Sequence, residues 1–240
     1  MKKKIIRPLV YDEPIVSKDK LSAEKKKVLE IAGSGKKVLE IGCSTGLFTK
    51  HLYDQGCTIT VIEIDEESAK KAKRFAESVI ISDIEDPTIW SKLSRKFDVI
   101  LFMHVLEHLV DPWRVLCEAK NVLAENGFVI ILLPNVACWE VRKNLFFKGC
   151  FRYQKYGVLD ISHLRFFDLY TAYDLIQDAG YIIKEYGVSG STVPLAGKLR
   201  NLPFLKILAP IWERIMIKRY PNLCGAHLFF KATIDIKVDE

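Results

Sequence analysis

Long apolar runs are missing from this 240-residue chain. The longest, residues 128–133, falls far short of the ~20 residues that cross a bilayer, so no stretch reads as a membrane-spanning helix. The six cysteines include no C-x-x-C pair and no zinc-ligand spacing, which argues against a dithiol redox motif or a zinc finger and fits a reducing cytoplasm. The start, MKKKIIRPLVYDEP, is basic but has no apolar stretch of signal-peptide length. Internal repeats and low-complexity tracts are absent. In the N-terminal half aromatic and basic residues do not interleave as a single-strand-binding surface would require, and no nucleic-acid partner is expected. Nor does one sign of charge dominate. Lys and Arg number 36 against 30 Asp and Glu, a net +6. Much of the excess sits in Lys2-Lys3-Lys4, Lys25-Lys26-Lys27 and residues 198–219, runs that read as solvated faces. What remains is an ordinary soluble composition, 49 % hydrophobic and 28 % charged, long enough for one large core.

One further absence is informative. The turn after the first predicted strand lacks the G-x-G-x-x-G spacing that seats a pyrophosphate on a helix N-terminus. It reads Gly42-Cys43-Ser44-Thr45-Gly46, with Glu40 two residues before it. An acid there repels a pyrophosphate but suits the ammonium of an amino-acid tail. A second strand, 58–63, follows the next helix and ends on Glu63, placed to accept hydrogen bonds from ribose hydroxyls. These features point to a nucleoside carrying a methionine.

The rest of the first two-thirds alternates strand and helix. Strands are expected at 37–41, 58–63, 79–82, 97–102 and 128–133, and helices at 22–32, 47–55, 66–77, 87–95 and 112–124. Near-continuous apolar strands separated by helices predict a parallel sheet covered on both faces, with ligands at the carboxyl ends of the strands beside a switch point.

In order and spacing, these residues resemble the class I S-adenosylmethionine (SAM)-dependent methyltransferases. Glu40 to Gly46 is similar to their first motif, E/D-x-G-x-x-x-G. Ile81 to Glu85 resembles the third strand, FDVILFM at 97–103 the fourth, and NGFVIILLPN at 126–135 the fifth. The likeness covers roughly residues 36–190 and is nearest to ubiquinone-biosynthesis O-methyltransferases and to methyltransferases associated with polysaccharide synthesis. It implies a Rossmann-like α/β fold: a seven-stranded, mostly parallel sheet with helices on both faces and the last strand antiparallel. It further implies SAM as cofactor, held by Glu40, Gly42, Cys43, Ser44, Gly46 and Met103. Glu63 would hold the ribose and Asp83 the adenine amino group, with Ile64 and Ile84 on the two faces of the ring.

Four regions are expected. Residues 1–20 form an N-terminal arm, and 21–190 the methyltransferase core. Within the core, residues 135–165 form an irregular, aromatic-rich cap insertion. Residues 191–223 make a basic amphipathic helical insertion, and 224–240 the final strand and tail. Residues 199–219 carry apolar positions near helical spacing with basic margins, which suits packing on the sheet, a homodimer contact or peripheral docking at a membrane face. Pro203 and Pro210 limit that helix.

Two motifs admit other chemistry. Gly42 to Gly46 also satisfies G-x-S-x-G, the nucleophile elbow of α/β-hydrolases, with Ser44 as nucleophile and Asp160, His163 and His227 downstream. An elbow follows several strands, however, and this turn follows the first. His104-Val105-Leu106-Glu107-His108 matches H-x-x-E-H; on a helix the two histidines would share a face. No third ligand is evident, so no metal is assigned, although Glu107 and His108 would suit a divalent ion that orients a diol.

For methyl transfer to oxygen, His104 and His163 are the candidate bases, because imidazole needs least tuning near neutral pH. His163 opens HLRFF, a segment similar to the acceptor side of the polysaccharide-associated branch; Arg165 and Phe166 would contact the acceptor. The expected activity is O-methylation of a small-molecule acceptor, a sugar or glycan intermediate, with a quinone-like phenol the alternative. A non-catalytic SAM-binding module is the reading from another class.

Overall fold

The computed structural model describes residues 16–194 and 207–235. Residues 1–15 of the expected arm, 195–206 of the amphipathic segment and 236–240 of the tail lie outside the described residues.

The first half follows the strand–helix alternation. Helix α1 (Ala23–Ala32) leads to β1 (Lys37–Ile41), α2 (Leu47–Asp54), β2 (Thr58–Glu63), α3 (Glu66–Ala72) and β3 (Ser78–Ile81). Then come α4 (Thr88–Ser91), β4 (Phe97–Met103), α5 (Pro112–Ala119) and β5 (Leu123–Pro134). Asp65 and Asp111 cap α3 and α5, their side chains accepting the backbone N–H of Ser68 and Arg114. The seven strands lie in the order β3-β2-β1-β4-β5-β7-β6, where β6 is Tyr181–Ser191 and β7 is Gly225–Ile234. The first five pair in parallel; β7 inserts antiparallel between β5 and β6. The fold is the expected one, and β7 sits in the sheet interior.

Period-two alternation sends the strand residues to two cores. Leu39, Ile41, Ile100, Phe102 and Ile131 face one side with Ile89, Leu116 and Ile176. Val38, Val61, Val99, Leu101 and Leu132 face the other with Leu29, Phe48, Leu52 and Ala72. Between β1 and β4 the connections diverge, one running out to β2 and β3 and the other to β5, which leaves a crevice at the carboxyl ends of these two strands.

Four stretches differ from expectation. The helix predicted at 87–95 is a single turn, α4 (Thr88–Ser91). The predicted 66–77 helix ends at Ala72 and tightens into a 3-10 turn at Lys73–Phe75. The predicted 112–124 helix ends at Ala119, and β5 begins at Leu123, before the Asn126-Gly127 turn signal. A register shift against β4 between Phe97 and Val99 absorbs those residues as an irregularity within the ladder. Finally, the insertion expected to be irregular contains a ten-residue helix, α6 (Trp139–Lys148). Only its Val141 is buried, so it carries no apolar stripe for a periodicity argument to find.

Helix α7 (Leu169–Asp178) follows the insertion, opened by a reciprocal capping box between Asp168 and Thr171. Helix α8 (Leu208–Arg219) and the short α9 (Pro221–Cys224) precede β7. Trp212 and Met216 of α8 pack toward Val193 and Cys224, and the Trp212 indole donates to the Pro194 carbonyl at 3.0 Å. Ile211 and Ile215 remain exposed. None of the described helices is long and apolar enough to cross a membrane.

Candidate active site

The crevice is framed by two loops in unusual backbone conformations. In the first, Gly42 and Gly46 have φ of 69° and 83°, and Ser44 is left-handed at 47°. A side chain on Gly46 would bring its Cβ to 2.7 Å from the Ala72 Cα, and one on Gly42 would meet Val105 Cγ2 at 2.8 Å. The glycines therefore let the loop close against α3 on one side and against the loop after β4 on the other. In that second loop His104 is the other non-glycine with positive φ among the described residues, at 57°. Strain of this kind collects at functional sites.

Two acids anchor the first loop. Glu63, at the end of β2, is 7 % exposed. Its Oε2 accepts the Ser44 N–H at 2.8 Å, and its Oε1 accepts those of Ile64 and Asp65 at 2.9 and 3.0 Å. Glu40 lies beneath the loop, buried, with Oε2 accepting the Thr49 hydroxyl at 2.7 Å. Burial pushes its carboxyl up to about 8, opposed by the Thr49 hydrogen bond and reinforced by the Glu63 charge. Cys43 is buried too, which pushes its thiol up and makes it a packing residue rather than a nucleophile.

The remaining residues named for the cofactor line the same edge. Asp83 is exposed and accepts the Glu85 N–H at 2.9 Å. Ile64 is half exposed, whereas Ile84 is buried in the main core, so Ile64 is the one with a free apolar face. Met103 is partly buried against the second core at the end of β4.

A histidine–glutamate cluster stands at the carboxyl end of β4. His104 Nδ1 lies 3.3 Å from Glu107 Oε1, and its ring meets that of His227 edge-on at 5.1 Å. Glu107 is fully buried. Burial pushes its carboxyl up, but the His104 hydrogen bond and the charges of His104 and His108 outweigh that and hold it below the ordinary value. The H-x-x-E-H motif is not a helical pair, so the arrangement with both histidines on one helix face does not occur. The left-handed His104 precedes a 3-10 turn at Leu106–His108, which directs His104 toward His227 and His108 toward His163.

His163 and His108 stack edge-on with centroids 4.9 Å apart. His163 is buried, its Nδ1 lies 3.1 Å from the Val158 carbonyl, and burial pushes its imidazole down. Arg165 is exposed, with its guanidinium donating to the Val110 carbonyl. Phe166 packs with Phe151 and Tyr153 at ring distances of 5.5 and 6.0 Å, forming an aromatic wall on the cap.

Some contributors were not visible in sequence. Glu24 of α1 comes within electrostatic reach of His104 and His227, and Lys25 within reach of Glu40, so the first helix borders the crevice. His227 arrives from β7. Only the sheet order places these residues here.

Comparison with known proteins agrees with this fold. Residues 17–185 match the family described as a methyltransferase domain. The ubiquinone biosynthesis O-methyltransferase of Psychrobacter cryohalolentis is 29 % identical over 133 residues, covering 53 % of this chain and 52 % of that protein. The chain thus spans about half the length of that relative. The Coxiella burnetii protein of the same name is 26 % identical over 176 residues, covering 62 % and 75 % of the two chains. Among solved structures, a SAM-dependent methyltransferase from Archaeoglobus fulgidus superposes with a TM-score of 0.64 at 17 % identity, over 90 % of this chain and 94 % of that one. The N-methyltransferase NodS from Bradyrhizobium japonicum, solved with S-adenosyl-L-homocysteine, gives 0.54 at 17 % identity, over 88 % and 84 %. With the crevice, the glycine loop and the strand-end acids in place, the chain belongs to the methyltransferase-domain family and shares the fold of class I, SAM-dependent methyltransferases.

Proposed function

We propose that this protein transfers a methyl group from SAM to an oxygen of a small-molecule acceptor, with His104 as the base. The observation that carries the reading is the His104–Glu107 pair at the carboxyl end of β4. A buried carboxylate accepting from Nδ1 leaves Nε2 of His104 with its lone pair, ready to take a hydroxyl proton. His104 is a third exposed, enough to reach an acceptor. His163, the other candidate, is buried, so it serves the site as a positioning residue.

The residues present fit SAM. The Glu63 carboxylate uses three of its roughly four acceptor positions on the Ser44, Ile64 and Asp65 amides, leaving one for a ribose hydroxyl. Ile64 and Asp83 would meet the adenine, and Glu40 would meet the cationic tail on giving up the proton that burial favours. SAM supplies a methyl group already activated by its sulfonium. The protein has to orient the acceptor, exclude water and remove one proton.

For the acceptor, the aromatic wall of Phe151, Tyr153 and Phe166 suits the face of a sugar ring, and exposed Arg165 suits an attached anion. This favours a sugar or glycan intermediate. The relatives named for ubiquinone biosynthesis favour a quinone-like phenol as the second reading. Labelled SAM incubated with the protein and fractionated extracts tests the proposal. Label in a polar or glycolipid fraction supports the first reading and label in a quinone fraction the second. Transfer to protein or RNA, or none at all, overturns both.

A further inference from the structure

We propose that Glu107, His108 and His163 form a binding site for one divalent transition-metal ion of the zinc class. The H-x-x-E-H spacing offers no third ligand, and the fold provides it. The cap segment folds back so that the Leu164 and Arg165 N–H groups both donate to the Glu107 carbonyl, at 2.9 and 3.0 Å. That contact delivers His163 to His108. One ligand atom from each of the three side chains then lies within 4.8 Å of the others.

The hydrogen bonds around these residues prepare them as ligands. Nδ1 of His108 lies 3.2 Å from the Ser162 carbonyl, and Nδ1 of His163 lies 3.1 Å from the Val158 carbonyl. A carbonyl can only accept, so each Nδ1 carries the proton and each Nε2 keeps its lone pair. Metal-binding histidines are oriented by such second bonds. On Glu107, Oε1 is engaged by His104, while Oε2 is buried with no hydrogen-bond partner. A buried, unpaired carboxylate oxygen is costly, and a cation supplies the missing partner. His104 would then stand behind the carboxylate ligand as its own orienting group.

Two imidazole nitrogens and one carboxylate oxygen suit zinc, cobalt, nickel or ferrous iron over magnesium or calcium. Three protein ligands leave a position open, as in catalytic rather than structural zinc sites. The ion would clamp the 106–108 turn to the cap and present that open position beside His104. Its use toward the acceptor oxygen rests on the methyl-transfer reading; its binding does not.

The test is a titration of the chelator-stripped full chain with Co²⁺, followed by visible absorption, and with Zn²⁺ by calorimetry, with Mg²⁺ as control. The expected result is saturation at one Co²⁺ or Zn²⁺ per chain, with absorption bands of low-symmetry cobalt and no comparable Mg²⁺ binding. His163→Gln and His108→Gln should each weaken uptake by about 100-fold or more, and His104→Gln by about 10-fold, as an outer partner does. Circular dichroism and thermal unfolding verify that each variant folds, and the near-isosteric Glu107→Gln replaces any that does not. No uptake by the native chain, or native uptake by both His163→Gln and His108→Gln, overturns the site. Metal uptake without methyl transfer leaves the site standing and sinks the proposed function; transfer without uptake does the reverse.

Discussion

The Ser44 amide donates to Glu63 Oε2 at 2.8 Å, tying the glycine loop to the end of the neighbouring strand. The residue placed to bind a ribose thus also holds the loop that would lie under the cofactor. Glu63→Ala should weaken SAM binding by about 1.5–3 kcal/mol, the scale of a lost charged hydrogen bond. Calorimetry on both proteins measures this, and unchanged affinity would remove Glu63 from the cofactor site.

Glu40 gives stability a pH dependence. Burial pushes its carboxyl up to about 8, against 4.5 for an ordinary glutamate. The folded chain therefore keeps a proton that the unfolded chain has released, so this contribution is complete below pH 4.5 and is lost as pH rises toward 8. Glu40→Gln keeps an acceptor for Thr49 and removes the titration. Its unfolding free energy should be about 1–3 kcal/mol above that of the native chain at pH 9, with the difference shrinking toward pH 5. Urea unfolding at both values decides the sign.

Closure of the first loop against α3 tolerates no Cβ at Gly46, where φ is 83° and Ala72 Cα would lie 2.7 Å away. Gly46→Ala should cost about 1–3 kcal/mol, from left-handed strain and overpacking together. Chemical denaturation measures it; a neutral result would mean that α3 moves freely away from the loop.

Loss of the proposed base should separate chemistry from binding. With an acceptor in hand, His104→Ala should lower kcat by about 10² to 10⁴ and leave SAM affinity nearly unchanged. Glu107→Gln removes the carboxylate that fixes the His104 tautomer, so it should lower kcat too and change the shape of the pH–rate profile. Full activity in His104→Ala would place the base elsewhere.

Asp83 was placed by resemblance to the family, whereas the succession of strands along the chain, the glycine loop and the acids at Glu40 and Glu63 were legible in the residues themselves. Each depends on neighbours a few positions away: apolar runs of strand length, a turn that needs positive φ, and a carboxylate at a strand end. Helix α6 was not legible, because a helix that buries only Val141 has no apolar stripe to reveal it. The histidine cluster was legible only in part. The spacing from His104 to His108 would place two ligands on one face only if the segment were helical, and a left-handed His104 and a 3-10 turn separate the two rings. His163 reaches His108 through backbone bonds between the cap and Glu107, and His227 reaches His104 because β7 inserts beside β5. Local chemistry determines strands, turns and strand-end acids, since those interactions lie within one stretch of chain. Which distant side chains share a site is decided by sheet order and loop docking, where long-range packing offsets the entropy of closing the intervening chain.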